Sequence, residues 1–389
     1  MTPAARVAAA GDVLDAWLEG MAVERALLRW ARGARYAGSK DRAAVRDHVF
    51  DAVRRRRSAA WAGGAETGRG LMLGLLRLES QDPEVVFTGD GYAPSLLTPA
   101  EQAHLDKPID PPPDAVALDC PDWLWDRLGK DLGADRQTVL QTFQTRAPTY
   151  LRVNLLKSDL DAAVSLLAED GISTSAHPLA ETALLVTEGA RRISQSRAYQ
   201  TGAVELQDAA SQAVVAALLP AKGRILDYCA GGGGKALALA GASNLNIDAY
   251  DAIPARLDDL APRAKRAAAN IRILRHDDAL APPYDLVVAD VPCSGSGAWR
   301  RQPEAKWNLT PERLTALESL QSDILDEAAL QTAKGGRLAY ITCSLLSTEN
   351  ETQIEKFLAR KSGWTCRELR RISPLAGGDG FFFSVLDRA

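Results

Sequence analysis

The 389-residue sequence is poor in the residue types that hold metals and cross-links. Its four histidines, His48, His104, His177 and His276, show no metal-ligand spacing. Its five cysteines, Cys120, Cys229, Cys293, Cys343 and Cys366, are odd in number and contain no C-x-x-C pair. That excludes a zinc ribbon and argues against a disulfide framework, so no metal is expected, and reduced thiols and a cytoplasmic location are. No apolar run approaches the ~20 residues that cross a bilayer. No apolar signal core follows Met1-Thr2-Pro3-Ala4-Ala5-Arg6, so neither a membrane nor a secretory route is expected. There is no G-x-S-x-G elbow to support a serine hydrolase and no internal repeat. Excess positive charge is also missing. Lys+Arg is 46 against 50 Asp+Glu, a net charge of −4, which excludes a globally basic nucleic-acid coat but not a local basic patch. The 46% hydrophobic and 25% charged content excludes a disordered or collagen-like chain.

The modest net charge hides a bipolar distribution. Residues 1–61 hold 12 basic and 7 acidic side chains, and residues 62–135 hold 5 basic and 14 acidic. The basic part ends in Arg54-Arg55-Arg56-Arg57, which suits a solvated helix face or a phosphate-contacting surface. Helical spacing of Val13, Leu14, Trp17 and Leu18, and of Val45, Val49 and Val53, predicts a helical N-terminal region over 1–80. The prolines at 83, 94, 99, 108 and 111–113 predict a connector over 81–118. A small α+β module is expected over 119–204, from strands at Pro148–Asn154 and Leu184–Val186 and a helix at Leu160–Asp170.

From 205 to 389 the rhythm is strand–helix–strand. Strands are predicted at Arg224–Tyr228, Asn246–Tyr250, Ile271–Leu274, Asp285–Ala289, Arg337–Thr342 and Phe381–Leu386. Helices are predicted at Pro311–Ala333 and Ser347–Ala359, with Ser347-Thr348-Glu349-Asn350 as a start signal. Pro262 interrupts the helix expected between 254 and 269, so a kink or two short helices are expected there. Alternating units of this kind imply an α/β fold with a parallel, doubly wound sheet that binds ligands at the C-terminal ends of its strands.

Chemistry-bearing residues fall at those ends. The first strand of this region runs into Asp227-Tyr228-Cys229-Ala230-Gly231-Gly232-Gly233-Gly234-Lys235. A phosphate-gripping P-loop fails twice, because Cys229 replaces its first glycine and Ala236 its metal-binding hydroxyl. A dinucleotide fingerprint is a weak match, with Ala236 in place of the third glycine. A nucleoside-type cofactor such as S-adenosylmethionine is the third reading, and Asp251 suits ribose hydroxyls in either of the last two. A later strand delivers Asp290-Val291-Pro292-Cys293 into a Ser/Gly-rich loop, and another ends in Thr342-Cys343-Ser344. A lone cysteine is usually a small buried hydrophobe. Two thiols and a carboxylate at one sheet edge are far rarer than the parts. Alternation puts Ala339, Ile341 and Cys343 on one face. Trp299-Arg300-Arg301 and Lys306-Trp307 interleave cations with aromatics, a pattern suited to base stacking at the mouth of a site or to ordinary packing.

Residues about 120–389 resemble the Nop/Sun (RsmB-like) family of RNA cytosine-C5 methyltransferases. The resemblance rests on 227–235, on Asp-Val-Pro-Cys-Ser-Gly-Ser-Gly at 290–297 and on Tyr-Ile-Thr-Cys-Ser at 340–344. Supporting matches are Arg152-Val153-Asn154, Glu205 to Ser211, and Asp379-Gly380-Phe381-Phe382. The resemblance implies a class I S-adenosylmethionine-dependent methyltransferase (Rossmann-like) sheet in 205–389. It makes Cys343 the nucleophile and Cys293 the group that assists release. Addition of a thiolate to the base places negative charge on it, and Asp290 is the candidate proton donor near N3. The resemblance places the cofactor on Cys229, Ala230, Gly231, Gly232, Gly233, Gly234, Lys235, Asp251, Asp278 and Asp290. Asp278 is chosen over Asp277 because Asp278-Ala279 resembles the family's pattern. The implied partner is RNA, most simply ribosomal RNA, with a monomer as the expectation. The N-terminal region loosely resembles a NusB-like RNA-binding domain at Asp41-Arg42-Ala43-Ala44-Val45-Arg46. One departure stands out. The family's Cys-Ala-Ala-Pro-Gly-Gly-Lys-Thr is here Cys-Ala-Gly-Gly-Gly-Gly-Lys-Ala, and losing the proline raises loop entropy by roughly a kcal/mol. The rival readings are a methyltransferase acting on DNA or protein, and a non-enzymatic RNA-binding assembly factor with a degenerate cofactor loop.

Overall fold

In a computed structural model, residues 1–243, 245–275 and 280–389 are described. The chain divides into two compact units, Met1–Ala147 with Trp299–Asn308, and Pro148–Ala298 with Leu309–Ala389. Among the described residues no helix is long and apolar enough to cross a membrane.

The first unit is helical. Its main helices are Pro3–Leu18, Val23–Gly33, Ser39–Arg54, Arg56–Gly63, Gly68–Leu78, Asp122–Leu132 and Arg136–Phe143. Thr2 caps the first by accepting from Ala5 N, an interaction worth about 1 kcal/mol. Val13, Leu14, Trp17, Val45, Val49 and Val53 meet in one core, as their spacing predicts. The proline-rich stretch is not free of structure. It carries short helices at Pro99–Leu105, where proline sits in the first turn that tolerates it, and at Asp114–Ala117.

The arginine run is neither a solvated face nor a free phosphate surface. Arg55 pairs with Glu79, Arg56 with Glu66 and Arg57 with Asp122. Arg54 is buried and donates to Asp51 and to the Arg300 carbonyl. Three acids of the second, negative stretch thus pair with three arginines of the basic first stretch. The aromatic–cation cluster after 298 also packs inward. Trp299 is 1% exposed and meets Phe143 edge-on, and Trp307 Nε1 donates to the Val53 carbonyl. Lys306 is 1% exposed, and burial lowers its ammonium to about 8 against the pull of Asp119 and Cys120. Ordinary packing is therefore the reading that holds for Trp299 and Trp307, and base stacking on them is not.

The second unit holds two sheets. The smaller has the order β2-β3-β1-β4, from β1 (Thr149–Val153), β2 (Ser173–Ala176), β3 (Ala183–Glu188) and β4 (Val204–Leu206), with antiparallel neighbours. Helix Leu160–Glu169 supplies Ala163 and Leu167 to its core beside Leu151, Val153 and Leu184. The larger has the order β10-β11-β9-β8-β5-β6-β7. Its strands are β5 (Ile225–Asp227), β6 (Ile247–Ala249), β7 (Ile271–Ile273), β8 (Tyr284–Asp290), β9 (Thr332–Thr342), β10 (Trp364–Ile372) and β11 (Phe381–Arg388). Strands β9-β8-β5-β6-β7 are parallel, and β11 and β10 run antiparallel to their neighbours, so the sheet is mixed at one edge. The run Leu286-Val287-Val288-Ala289 is fully buried because a central parallel strand has both faces covered. Alternation on β9 sends Ala339 and Ile341 to one core, with Cys343 against it, and Leu338 and Tyr340 to the other. Pro262 lies inside a short helix, Leu260–Ala267, preceded by a separate turn at Pro254–Leu257.

Candidate active site

Strand order brings the chemistry together. β5, β8 and β9 are adjacent and parallel, so the segments after Asp227, Asp290 and Thr342 leave the sheet side by side. Pairing of Asp290 with Ile341 sets the two cysteine segments in register. Cys293 Sγ and Cys343 Sγ lie 3.5 Å apart. The hydrogen bond with Cys343, then burial, then the charge at Cys343 and at Glu349 push the Cys293 thiol well up.

Lys235, 6% exposed, donates to Asp290 Oδ2 at 2.8 Å and lies 5.0 Å from the centre of the Phe381 ring. Burial alone would depress this ammonium. Asp290, by charge and hydrogen bond, together with Cys343 and Asp227 holds it above its ordinary value. Asp290 is thus an acceptor here. The donor expected at Asp290 is instead the acceptor of the Lys235 hydrogen bond.

The glycine loop begins where β5 ends. Asp227 is fully buried; Oδ2 accepts from Ala236 N at 3.0 Å, and Oδ1 has no partner. Burial first, then Asp290, raises its carboxyl to about 7. Asp251 accepts from Gly231 N at 3.0 Å and Ile253 N at 2.9 Å, which leaves a lone pair on each oxygen. Gly231 has φ +48, and a Cβ there would meet nothing within 4 Å. An anchored carboxylate, an open glycine turn and an unpartnered buried oxygen fit a polar nucleoside-type ligand better than a phosphate. Burial, followed by the charges of Asp227, Asp251 and Asp290, drives the Cys229 thiol far up. Ala230 N donates to the Tyr250 carbonyl, and Gly233 N to the Ala230 carbonyl, which closes the turn. Gly234 opens the helix Gly234–Ser243 that carries Lys235. Asp278 lies outside the described residues, as do Asp277 and His276.

The departure at 231–232 has a local counterpart. Arg263 donates to the Gly232 carbonyl, and a Cβ on Gly232 would sit 2.9 Å from Arg263 Nη1. Arg263 and Arg266 both pair with buried Glu205, which belongs to β4. Gln207 Nε2 donates to the Gly234 carbonyl. The Glu205–Ser211 motif thus braces the glycine loop from outside. Asp208 Oδ1 accepts from Ala210 N and from Asp379 N, which ties this motif to the closing one. Gly380 N donates to the Gly297 carbonyl, and a Cβ on Gly297 would stand 2.0 Å from Gly380 O, so only glycine fits where these segments touch.

Sequence reasoning missed Asp227, Arg263 and Glu349. Asp227 was legible as part of its motif but not as an unpartnered buried carboxyl. Glu349 was read as a helix-start residue; its side chain instead turns back toward the cysteine loops.

Fold and site together define a methyltransferase-type α/β sheet with a glycine loop and paired thiols. Comparison with known proteins agrees. A family model for 16S rRNA methyltransferase RsmB/F matches residues 215–383, and one for the ferredoxin-like domain of RsmF/B-like methyltransferases matches 120–191. Ribosomal RNA small subunit methyltransferase B of Xylella fastidiosa strain Temecula1 is 35% identical over 68% of this chain and 66% of its own length. The protein of the same name from Xanthomonas campestris pv. campestris is 33% identical over 71% of this chain and 68% of its own. The chain therefore spans about two thirds of these relatives, and just under that of the first. The crystal structure of PH0851 superposes with a TM-score of 0.76 at 21% identity, covering 100% of this chain and 99% of that one. The chain belongs to the RsmB/F family of rRNA methyltransferases.

Proposed function

We propose that this chain is an S-adenosylmethionine-dependent methyltransferase that forms 5-methylcytosine in ribosomal RNA, acting in the cytoplasm. The observation that carries the reading is the pair of thiols 3.5 Å apart at the ends of adjacent parallel strands, beside Lys235–Asp290. Family membership supports the substrate class.

Carbon 5 of cytosine is a weak nucleophile, and thiolate addition at carbon 6 makes it enamine-like. In this reading Cys293, held as a thiol, donates the S–H···S bond, and Cys343 carries the thiolate that attacks carbon 6. Lys235 and Asp290 act together at N3: Lys235 passes a proton to the Asp290 carboxylate that accepts its hydrogen bond, and Asp290 delivers that proton to N3. Cys229 to Lys235, Asp251, Asp278 and Asp290 would hold the cofactor, with Asp227 beneath them. When bound, S-adenosylmethionine supplies the methyl group as an electrophile. Afterwards a water that the Cys293 thiol positions carries the carbon-5 proton to solvent, the C6–S bond breaks, N3 returns its proton to Asp290 and Cys343 leaves as the thiolate. The target base must leave its stack to reach a thiol in such a site.

The domain roles follow the same reading: 1–80 and 119–204 contact RNA, 81–118 connects them, and 205–389 performs chemistry. Arg25, Arg29 and Arg32 support the first role. They are exposed at i, i+4 and i+7 on helix Val23–Gly33, and the exposed Tyr36 and Tyr92 stack in the same unit. The test is transfer of label from S-adenosylmethionine to ribosomal RNA from a host lacking the gene. Label should appear as 5-methylcytosine with the native protein and not with Cys343→Ala. Absence of label on both free RNA and precursor particles would refute the proposal.

A further inference from the structure

Glu349 is a carboxylate buried to 0% exposure in the wall behind both cysteines. Oε1 accepts from Ser294 N at 2.8 Å and from Gln321 Nε2 at 2.9 Å. Oε2 accepts from the hydroxyls of Ser294 and Ser344. All four donors are neutral groups. Burying a carboxylate on neutral donors alone is costly, and it is tolerated only when every lone pair is filled, as here.

The donors define what this carboxylate does. Ser294 directly follows Cys293, and Ser344 directly follows Cys343. We propose that Glu349 is the positioning residue that sets the spacing of the two thiols, by fastening the residue after each to one rigid carboxylate. Surrounding bonds fix the carboxylate in turn. Tyr340 donates to the Glu349 carbonyl at 2.7 Å. Thr342 donates to Asn350 Oδ1 at 2.6 Å, and Asn350 Nδ2 donates to the Ser344 carbonyl at 2.9 Å. Ser296 completes the weave by accepting from Leu345 N at 2.8 Å. Gln321, on helix Pro311–Gln331, also donates to the Pro292 carbonyl at 3.0 Å and so holds the Cys293 loop from its other side. Glu349 makes none of these bonds to a sulfur and is not a catalytic residue. Its charge is nonetheless felt at Cys293, behind the Cys343 hydrogen bond, burial and the Cys343 charge.

The proposal rests on the two-thiol reading above, so its test includes a readout that needs no methyl transfer. Diamide takes one hydrogen from each thiol and leaves a disulfide, and two sulfurs at 3.5 Å have only to close to about 2.05 Å. The native protein should form the Cys293–Cys343 disulfide readily. Glu349→Gln keeps one acceptor oxygen and turns the other position into a donor facing two hydroxyls. It should slow disulfide formation at least about ten-fold and lower kcat about 10- to 100-fold, with the dissociation constant for S-adenosylmethionine within about two-fold of native. Ser344→Ala, which removes one donor and leaves the carboxylate buried, should show the same pattern more weakly, and it decides the matter if Glu349→Gln does not fold. Native disulfide rates in folded Glu349→Gln, or no disulfide in the native protein, would overturn the proposal. Slowed disulfide formation in a protein that methylates no cytosine would instead refute the proposed reaction and leave the positioning role standing.

Discussion

Asp227 is a carboxyl with 0% exposure. It ends a buried strand with one oxygen bonded and one without a partner, and its carboxyl is raised to about 7 by burial and Asp290. A group raised in the folded state contributes stability that is full below its unfolded value, 3.8, and is lost as pH climbs through the folded value. The native protein should therefore lose stability between pH 4 and 7 relative to Asp227→Asn, by at most about 4 kcal/mol at ~1.36 kcal/mol per unit. Urea unfolding midpoints across that range measure it, and parallel curves for the two proteins would contradict it. The thiols were legible because Pro-Cys and Thr-Cys each end a strand in a recognisable motif. The partner of Asp290 was not, because Lys235 lies 55 positions away and meets it only through the pairing of β5 with β8.

At the scale of elements, the glycine loop and its brace form one device. A loop with four successive glycines lacks the stiffness of a proline, and here Arg263 replaces that stiffness with a hydrogen bond to Gly232 and an ion pair to Glu205. Arg263→Ala should weaken binding of S-adenosylmethionine about five-fold, the equivalent of the roughly 1 kcal/mol of restored loop entropy. Gly232→Ala in that background should recover part of the loss, since the guanidinium that crowds a Cβ is gone. Calorimetry reads both, and native affinity in Arg263→Ala would remove the brace from the account. The central parallel strand β8 was legible from its buried apolar run. β10 was not, because it is an edge strand whose Arg367, Glu368, Arg370 and Arg371 mask any alternation. The reversal of β11 was hidden too, since residue pattern carries no strand direction.

For the molecule as a whole, charge and motif had to be seen in three dimensions before they could be weighed. A basic N-terminal stretch followed by an acidic one reads as two surfaces, yet Arg55, Arg56 and Arg57 are matched by Glu79, Glu66 and Asp122. Arg25, Arg29 and Arg32 are exposed and lie outside the Arg54–Arg57 run. In the same way Trp299 and Trp307 look like a stacking platform in sequence and are packing in the fold. What survives from sequence to function is the pair of cysteine motifs, and the account stands on their division of labour. It is tested most directly by incubating Cys293→Ala and Cys343→Ala separately with S-adenosylmethionine and substrate RNA, then running each on a denaturing gel. The account predicts that Cys293→Ala accumulates a covalent protein–RNA adduct and Cys343→Ala forms none. An adduct held through Cys293 in Cys343→Ala, or full turnover by Cys293→Ala without an adduct, would contradict it.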